Sequence, residues 1–205
     1  MSEDDTTTNN DLETRLKRGD TSVFVELFMS HKHRVWQIVH FRLHDQIRGR
    51  VDPDDVVQEI YLAAEKRLPH FIEGDFPSLF LWLRLVTTQT IIDIHRTHLG
   101  TESRSVFRET DGATVYLRGH TSLCLSQRFV AHLTSPSQSA QKREMIELVR
   151  EALETMNEID REVLALRHFE ELTNQEVAIE LGITPKAASI RYVRALERLR
   201  GILGD

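Results

Sequence analysis

The chain has 205 residues, a formal net charge of −6 and a single cysteine, Cys124. That length buries a sizeable core in one or two domains, and one cysteine excludes an intramolecular disulfide and a cysteine-rich zinc site. No apolar run is long enough to span a membrane, and the lone cysteine points to a reducing, cytoplasmic setting.

Aromatics are few and β-branched runs are short, so the expected fold class is all-α. The first segment, residues 1–10 (MSEDDTTTNN), is acidic and polar; it lacks the features of a signal or transit peptide and is expected to be a disordered tail. Residues 11–47 carry apolar side chains at helical spacing, among them Leu12, Leu16, Phe24, Leu27, Val35, Ile38 and Leu43. Gly19-Asp20 and Gly49 mark breaks. Asp52, Pro53, Asp54 and Asp55 then read as an N-cap, a first-turn proline and two acids that complement a helix dipole. Val56, Val57, Ile60, Tyr61, Ala64 and Leu68 form the buried stripe of this helix, leaving Asp54, Asp55, Gln58 and Glu59 outside.

Residues 69–78 (PHFIEGDFPS) read as a loop. A long helix is expected over 79–98, with Phe80, Leu83, Val86, Thr90, Ile91 and Ile94 in its apolar band and Arg84, Gln89, His95 and Arg96 on a polar edge. The pattern dissolves over 100–141, where Ser, Thr and Gly are frequent; this is the predicted linker, although LSQRFVAHL has the makings of a short helix. A helix follows at 142–158, with Ile146, Val149, Ala152, Leu153 and Met156 inward. Asp160 is expected to cap the next one, REVLALRHF.

The last segment, LTNQEVAIELGITPKAASIRYVRALERLRG, reads as a helix–turn–helix. Thr173 and Glu176 form a capping box, and Val177, Ala178 and Leu181 face inward. Gly182 ends the first helix in the left-handed conformation. Ile183 plugs the turn, and Thr184 and Pro185 start the second helix. Ala178 is small where the two helices cross. Ala188, Tyr192, Ala195, Leu199 and Ile202 give the second helix its buried face. Five basic residues (Lys186, Arg191, Arg194, Arg198 and Arg200) stand against Glu197 between Gly182 and Gly201. A plain antiparallel helix pair with a solvated basic face is the alternative. The basic second helix favours DNA, with side chains on base edges and arginines on phosphates. Net acidity does not oppose this, because phosphate contacts need a local basic surface rather than a basic protein.

Three segments in this order, DPDDVVQEIYLAA, FLWLRLVTTQTIIDIHR and DREVLALRHFEELTNQEVAIELGITPKAASIRYVRALERLR, resemble the sigma-70 family of bacterial RNA polymerase sigma factors, of the small extracytoplasmic-function type. The resemblance implies a region 2-like helical bundle at 11–99, a linker at 100–141 and a region 4-like helix–turn–helix domain at 142–205. It implies core RNA polymerase and promoter DNA as partners, an anti-sigma factor as a further one, and a cytoplasmic protein that joins the nucleoid when bound to polymerase. By carry-over, Asp54, Asp55, Gln58 and Glu59 face polymerase. Arg84, Thr88, Gln89, His95 and Arg96 contact the −10 element, where single-stranded bases need stacking and positive potential. Lys186, Ser189, Arg191 and Arg194 read the −35 element, with Thr173 and Arg198 on phosphates. The segment FLWLRLVTTQTIIDIHR, which resembles the family's promoter-melting helix, is less basic than usual, with Leu85 and Thr88 at positions where arginine is common.

Two other readings stay open at this point. One is a stand-alone helix–turn–helix regulator that binds duplex DNA without polymerase. The other is a histidine-metal enzyme, since His40 and His44 are spaced i, i+4 and His95 and His98 i, i+3. The chain lacks an H-E-x-x-H arrangement, a phosphate-cradling glycine loop and G-x-S-x-G. The expectation is therefore a protein with no enzymatic activity, no cofactor and no metal.

Overall fold

A computed structural model describes residues 3–99, 121–131 and 139–203, and the regular structure among them is helical. The chain divides into two compact units, Met1–Thr101 and Glu102–Asp205.

The first unit holds α1 (Glu3–Lys17), a 3-10 turn at Thr21–Val23, α2 (Phe24–Arg42), α3 (Asp45–Arg48), α4 (Pro53–Glu73) and α5 (Leu79–Leu99). Asp20 starts the turn by accepting from the Ser22 N–H, and its carboxylate also takes Arg15 at 2.8 Å. Helices α2, α4 and α5 pack on one another, with α1 laid across α2 and α4. Leu27, Val35, Ile38, Val56, Ile60, Ala64, Leu83 and Ile91 form the core between them. An aromatic group of Phe24, Phe28 and Tyr61 joins α2 to α4, with Tyr61 5.0 Å from Phe28 edge-on and 5.8 Å from Phe24.

Two expectations are corrected here. The acidic N-terminus is not a separate disordered tail, because α1 begins at Glu3. Leu12 and Leu16 anchor that helix in the core. The loop at 69–78 is shorter than expected, because α4 continues through Pro69 to Glu73. A proline inside a helix costs about 3 kcal/mol. Burial of Leu68 and Phe71 on the same face offsets that cost.

What remains of the loop, residues 74–78, is pinned from several sides. Lys17 Nζ donates to the Phe71 and Gly74 carbonyls, both at 2.8 Å, so α1 supplies a cation at the C-terminal end of α4. It also lies 4.1 Å from the Phe71 ring. Glu13, one turn earlier, accepts from the Leu79 N–H at 2.7 Å and so caps the first turn of α5. Phe76 folds back over Phe71, Trp82 and His70.

Burial pushes the Glu13 carboxyl above its ordinary value, outweighing the Leu79 N–H and Lys17, which pull it down. A group raised on folding supports the fold most below its ordinary pKa, and that support is lost as pH rises through the raised value. Glu13→Gln keeps an oxygen for the Leu79 N–H and removes the buried charge. The expected result is a higher Tm than wild type at pH 7, with the gain shrinking as pH falls into the carboxylate range. Equal Tm differences at both pH values would sink this account.

In the second unit, residues 121–131 form helix α6, followed by α7 (Ser139–Glu154), α8 (Glu158–Leu164), α9 (Asn174–Leu181) and α10 (Pro185–Leu203). A stretch of π-helix, Ala165–Phe169, continues α8. Asn157, rather than Asp160, caps α8 by accepting from the Ile159 N–H. Arg161 closes the end of α7 by donating to the Leu153, Glu154 and Met156 carbonyls, groups that a helix C-terminus leaves unpaired. All of α6 falls within the expected linker, yet it belongs to the core of this unit. Thr121 donates to buried Glu162 at 2.6 Å, and Phe129 meets Phe169 edge-on at 5.5 Å. The TSPSQSA turn signal lies mostly outside the described residues.

Candidate nucleic-acid and protein interfaces

Local signals build the C-terminal surface. Thr173 and Glu176 close the capping box with both bonds, 3.2 and 2.8 Å long. Gly182 takes φ +64, ψ +34, the left-handed cap that a side chain would strain. Thr184 accepts from the Ala187 N–H at 3.1 Å and starts α10. Ala178 and Val177 on α9 and Ala188, Ala195 and Leu199 on α10 are buried. The helix pair is thus held by small residues, as the spacing predicted.

Of the residues expected to read DNA here, Thr173, Lys186, Arg194 and Arg198 are exposed and Ser189 is half-buried. Arg191 is different. Its guanidinium donates to Asp160 on α8 at 2.7 Å, and the Asp160 side chain is only 18% exposed. Arg191, expected to read DNA, thus also ties α10 to α8. Its position in the basic run gave no hint of this, because the partner is thirty-one residues away. Arg191→Ala is expected to lower the Tm of the second unit, by an amount near the ~1 kcal/mol typical of a partly exposed charged pair. Arg194→Ala should leave Tm unchanged and weaken promoter use. Thermal melts of both variants separate the roles, and equal Tm losses would overturn the distinction.

The outward face of α10 also carries apolar side chains that the sequence reading passed over. Ile190 is 42% and Val193 52% exposed.

In the first unit, Asp54, Asp55, Gln58 and Glu59 lie exposed along α4. Asp54 and Gln58 line a groove of about 370 Å³ between α2 and α4, together with Val25, Phe28, Met29, Val57, Tyr61 and Leu62 among others, and Asp55 and Glu59 follow on the same exposed stretch of α4. Val25, Met29 and Leu62 are more than half exposed. Exposed apolar surface rimmed by polar groups marks a protein interaction site. Sequence reasoning found the acidic rim and missed the apolar floor, since Val25, Met29 and Leu62 look like core residues in a helical pattern.

The expected polar edge of α5 is corrected. Arg84, Thr88 and His95 are buried, 5%, 4% and 3% exposed. Helix α5 is packed by α2, α3 and α4, so faces that look free on a lone helix are covered. His95 accepts from the His44 backbone N–H at 3.3 Å, and His40 lies flat against Trp36 with centroids 4.6 Å apart. Arg96 is exposed and pairs with Asp93 at 3.3 Å. Gln89 is half-buried and accepts from Arg67 on α4. That contact belongs to a second groove, between the end of α4 and α5, lined by Lys66, Arg67, Pro69, His70, Trp82, Leu85, Val86 and Gln89. Its basic side is Lys66, Arg67 and His70, all exposed. The segment E-K-R-L-P-H carried that signal, obscured by the expectation that a loop began at Pro69.

Comparison with known proteins fits both units. Residues 27–99 match sigma-70 region 2, and residues 146–199 match sigma-70 region 4. The chain is 26% identical to the ECF RNA polymerase sigma factor SigD of Mycobacterium tuberculosis over 89% of its own length and 77% of that protein's. It is 24% identical to the ECF RNA polymerase sigma factor SigW of Bacillus subtilis, over 93% and 94% of the two chains. The structure of CnrH in complex with the cytosolic domain of CnrY aligns with a TM-score of 0.48 and 21% identity, covering 95% of this chain and 96% of that one. The chain belongs to the sigma-70 family, as an RNA polymerase sigma factor of the extracytoplasmic-function type. Its partners are core RNA polymerase and promoter DNA. No described helix is long and apolar enough to cross a membrane.

Proposed function

We propose that three surfaces divide the work of promoter selection. The α2–α4 groove with its rim of Asp54, Asp55, Gln58 and Glu59 docks core polymerase: apolar contact supplies affinity and the acids fix register against a basic partner surface. The groove between α4 and α5, with Lys66, Arg67 and His70 facing Gln89, receives the unpaired strand of the −10 element, where basic side chains follow the backbone; Trp82, 1% exposed, supports the groove from beneath. The outward face of α10, with Lys186, Ser189, Arg194 and Arg198, reads the −35 element, and Thr173 meets a phosphate beside it. The observation that carries this reading is the juxtaposition on one bundle of an acidic, apolar-floored groove and a separate basic one.

Polymerase performs the chemistry, and this chain contributes none of its own. Two DNA contacts held on one polymerase raise the effective affinity without strong binding by either unit, which suits a chain of net charge −6. The protein acts in the cytoplasm and on the nucleoid when bound to polymerase. An anti-sigma factor that covers the α2–α4 groove would inhibit it by competition with polymerase.

The test is to mix the purified chain with core bacterial RNA polymerase and transcribe a promoter library. Initiation at a subset of promoters supports the reading, and Asp55→Ala with Glu59→Ala should weaken polymerase binding more than it changes promoter choice. Specific duplex binding by the chain alone, without polymerase binding, would replace it with a stand-alone regulator.

A further inference from the structure

The outward face of α10 runs Lys186, Ile190, Val193, Glu197, at steps of four, three and four, so the four side chains share one side of the helix. The opposite side, Ala188, Ala195 and Leu199, is buried at 0%, 1% and 6% exposure. Ile190 and Val193, 42% and 52% exposed, therefore lie outside the core of the unit. Both are β-branched, and both would serve an isolated helix less well than alanine, lysine or arginine. Two such residues at the centre of an outward face, half-exposed, call for an external contact.

The surroundings say which kind. Lys186 precedes the pair on the same face, and Arg194 and Arg198 flank it, exposed. That basic frame repels a second copy of itself and attracts a polyanion, and the helix is the second of a helix–turn–helix. In the major groove of duplex DNA, the C5-methyl of thymine is the apolar group that a base pair presents, beside hydrogen-bonding atoms that Ile and Val cannot use.

We infer that Ile190 and Val193 form an apolar reading edge that contacts thymine methyl groups in the −35 element. The inference rests on the assignment of α10 to that element and deepens it. Lys186, Ser189 and Arg194 read hydrogen-bonding atoms and Arg198 meets the backbone, while the aliphatic pair discriminates T·A from other pairs by methyl contact.

The test uses holoenzyme assembled from core bacterial RNA polymerase and the full chain, on a promoter recovered from the library. Each thymine of the −35 element is replaced in turn by deoxyuridine, which lacks only the methyl, and open-complex formation is measured in competition with the parent. The expected result is about fourfold weaker competition at one or two positions, the equivalent of ~0.8 kcal/mol for one buried methyl-sized group. Ile190→Ala with Val193→Ala should make holoenzyme indifferent to that replacement. Val193→Thr, close in shape to the parent, should blunt the response at one position, which guards against a folding defect in the double variant. Deoxyuridine without effect anywhere in the −35 element would overturn the proposal, as would undiminished sensitivity in the double variant; the aliphatic pair would then belong to a protein partner. Holoenzyme that initiates nowhere in the library would overturn the assignment of α10 to promoter DNA, and this inference with it.

Discussion

Met29→Asp combined with Leu62→Asp is expected to abolish capture of core polymerase at concentrations where wild type is saturated. The two side chains are 58% and 61% exposed and line the groove between α2 and α4. Neither is needed for the core, so the melting temperature should stay near wild type. In an assembled complex they would occupy the desolvated centre of an interface. Truncating residues at such a centre typically costs 2 kcal/mol or more, at least about 30-fold in affinity, and a buried, unpaired carboxylate costs more than truncation. Replacing Asp55 and Glu59 by alanine touches the rim instead. There the loss should be smaller, concentrated in the association rate and sensitive to salt. A pull-down with core polymerase, or anisotropy of a labelled chain, reads both variants. Wild-type affinity in the aspartate pair would mean that polymerase docks elsewhere.

Gly74→Ala is expected to impair promoter opening while leaving polymerase binding intact. A Cβ at position 74 would stand 2.5 Å from Phe76 Cε2 and 2.7 Å from the His70 carbonyl oxygen. The Phe76 ring is able to swing aside, but a carbonyl in the last turn of α4 is not. Something in the 74–78 loop must move, at a cost near the ~1–3 kcal/mol of other overpacked sites. The Gly74 carbonyl also accepts from Lys17, so the shift would loosen the hold of α1 on the loop. Phe76 rests on Phe71 and Trp82, and Trp82 lines the proposed −10 groove, so the disturbance reaches it. Reactivity of unpaired thymines in the bubble reads promoter opening, and binding to polymerase is measured in parallel. Normal opening with unchanged stability would show that the loop tolerates the methyl and that Gly74 plays no part in strand capture.

What the sequence made legible was local. The capping box at Thr173, the left-handed Gly182, the Thr184 cap and the Asp52 cap each need only a few neighbouring residues, and each stands as read. Ala188, Ala195 and Leu199 on α10 and the buried stripe of α4 followed from spacing for the same reason, while the Ile202 side chain lies outside the described residues. What the sequence hid was set by packing. Arg84 and His95 look like a polar edge on an isolated helix, and only the presence of α2, α3 and α4 around α5 makes them interior. Pro69 looks like the end of a helix, but Phe71 beyond it has a hydrophobic site to fill. Residues 121–131 read as part of a linker because Ser and Thr dilute their apolar pattern, whereas in the folded unit those hydroxyls find partners, Thr121 on Glu162 and Ser126 on the Leu123 carbonyl. In the candidate site, the acidic rim and the exposed Lys186, Arg194 and Arg198 were visible from charge alone. The apolar residues of both faces were not, because exposure of an aliphatic side chain has no signature in composition.

The Arg191–Asp160 pair has a bearing on ionic strength. An arginine engaged by a carboxylate of its own protein displaces no counterions from DNA. The other cations exposed on α10, Lys186, Arg194, Arg198 and Arg200, would neutralise at most about four phosphates, and each phosphate neutralised on B-DNA adds about −0.9 to the slope of log K against log salt. The second unit thus grips the duplex with little of the electrostatic force that makes many DNA-binding proteins cling to any sequence. On the proposed assignment, an acidic chain built this way would stay off bulk chromosomal DNA until polymerase carried it to a promoter.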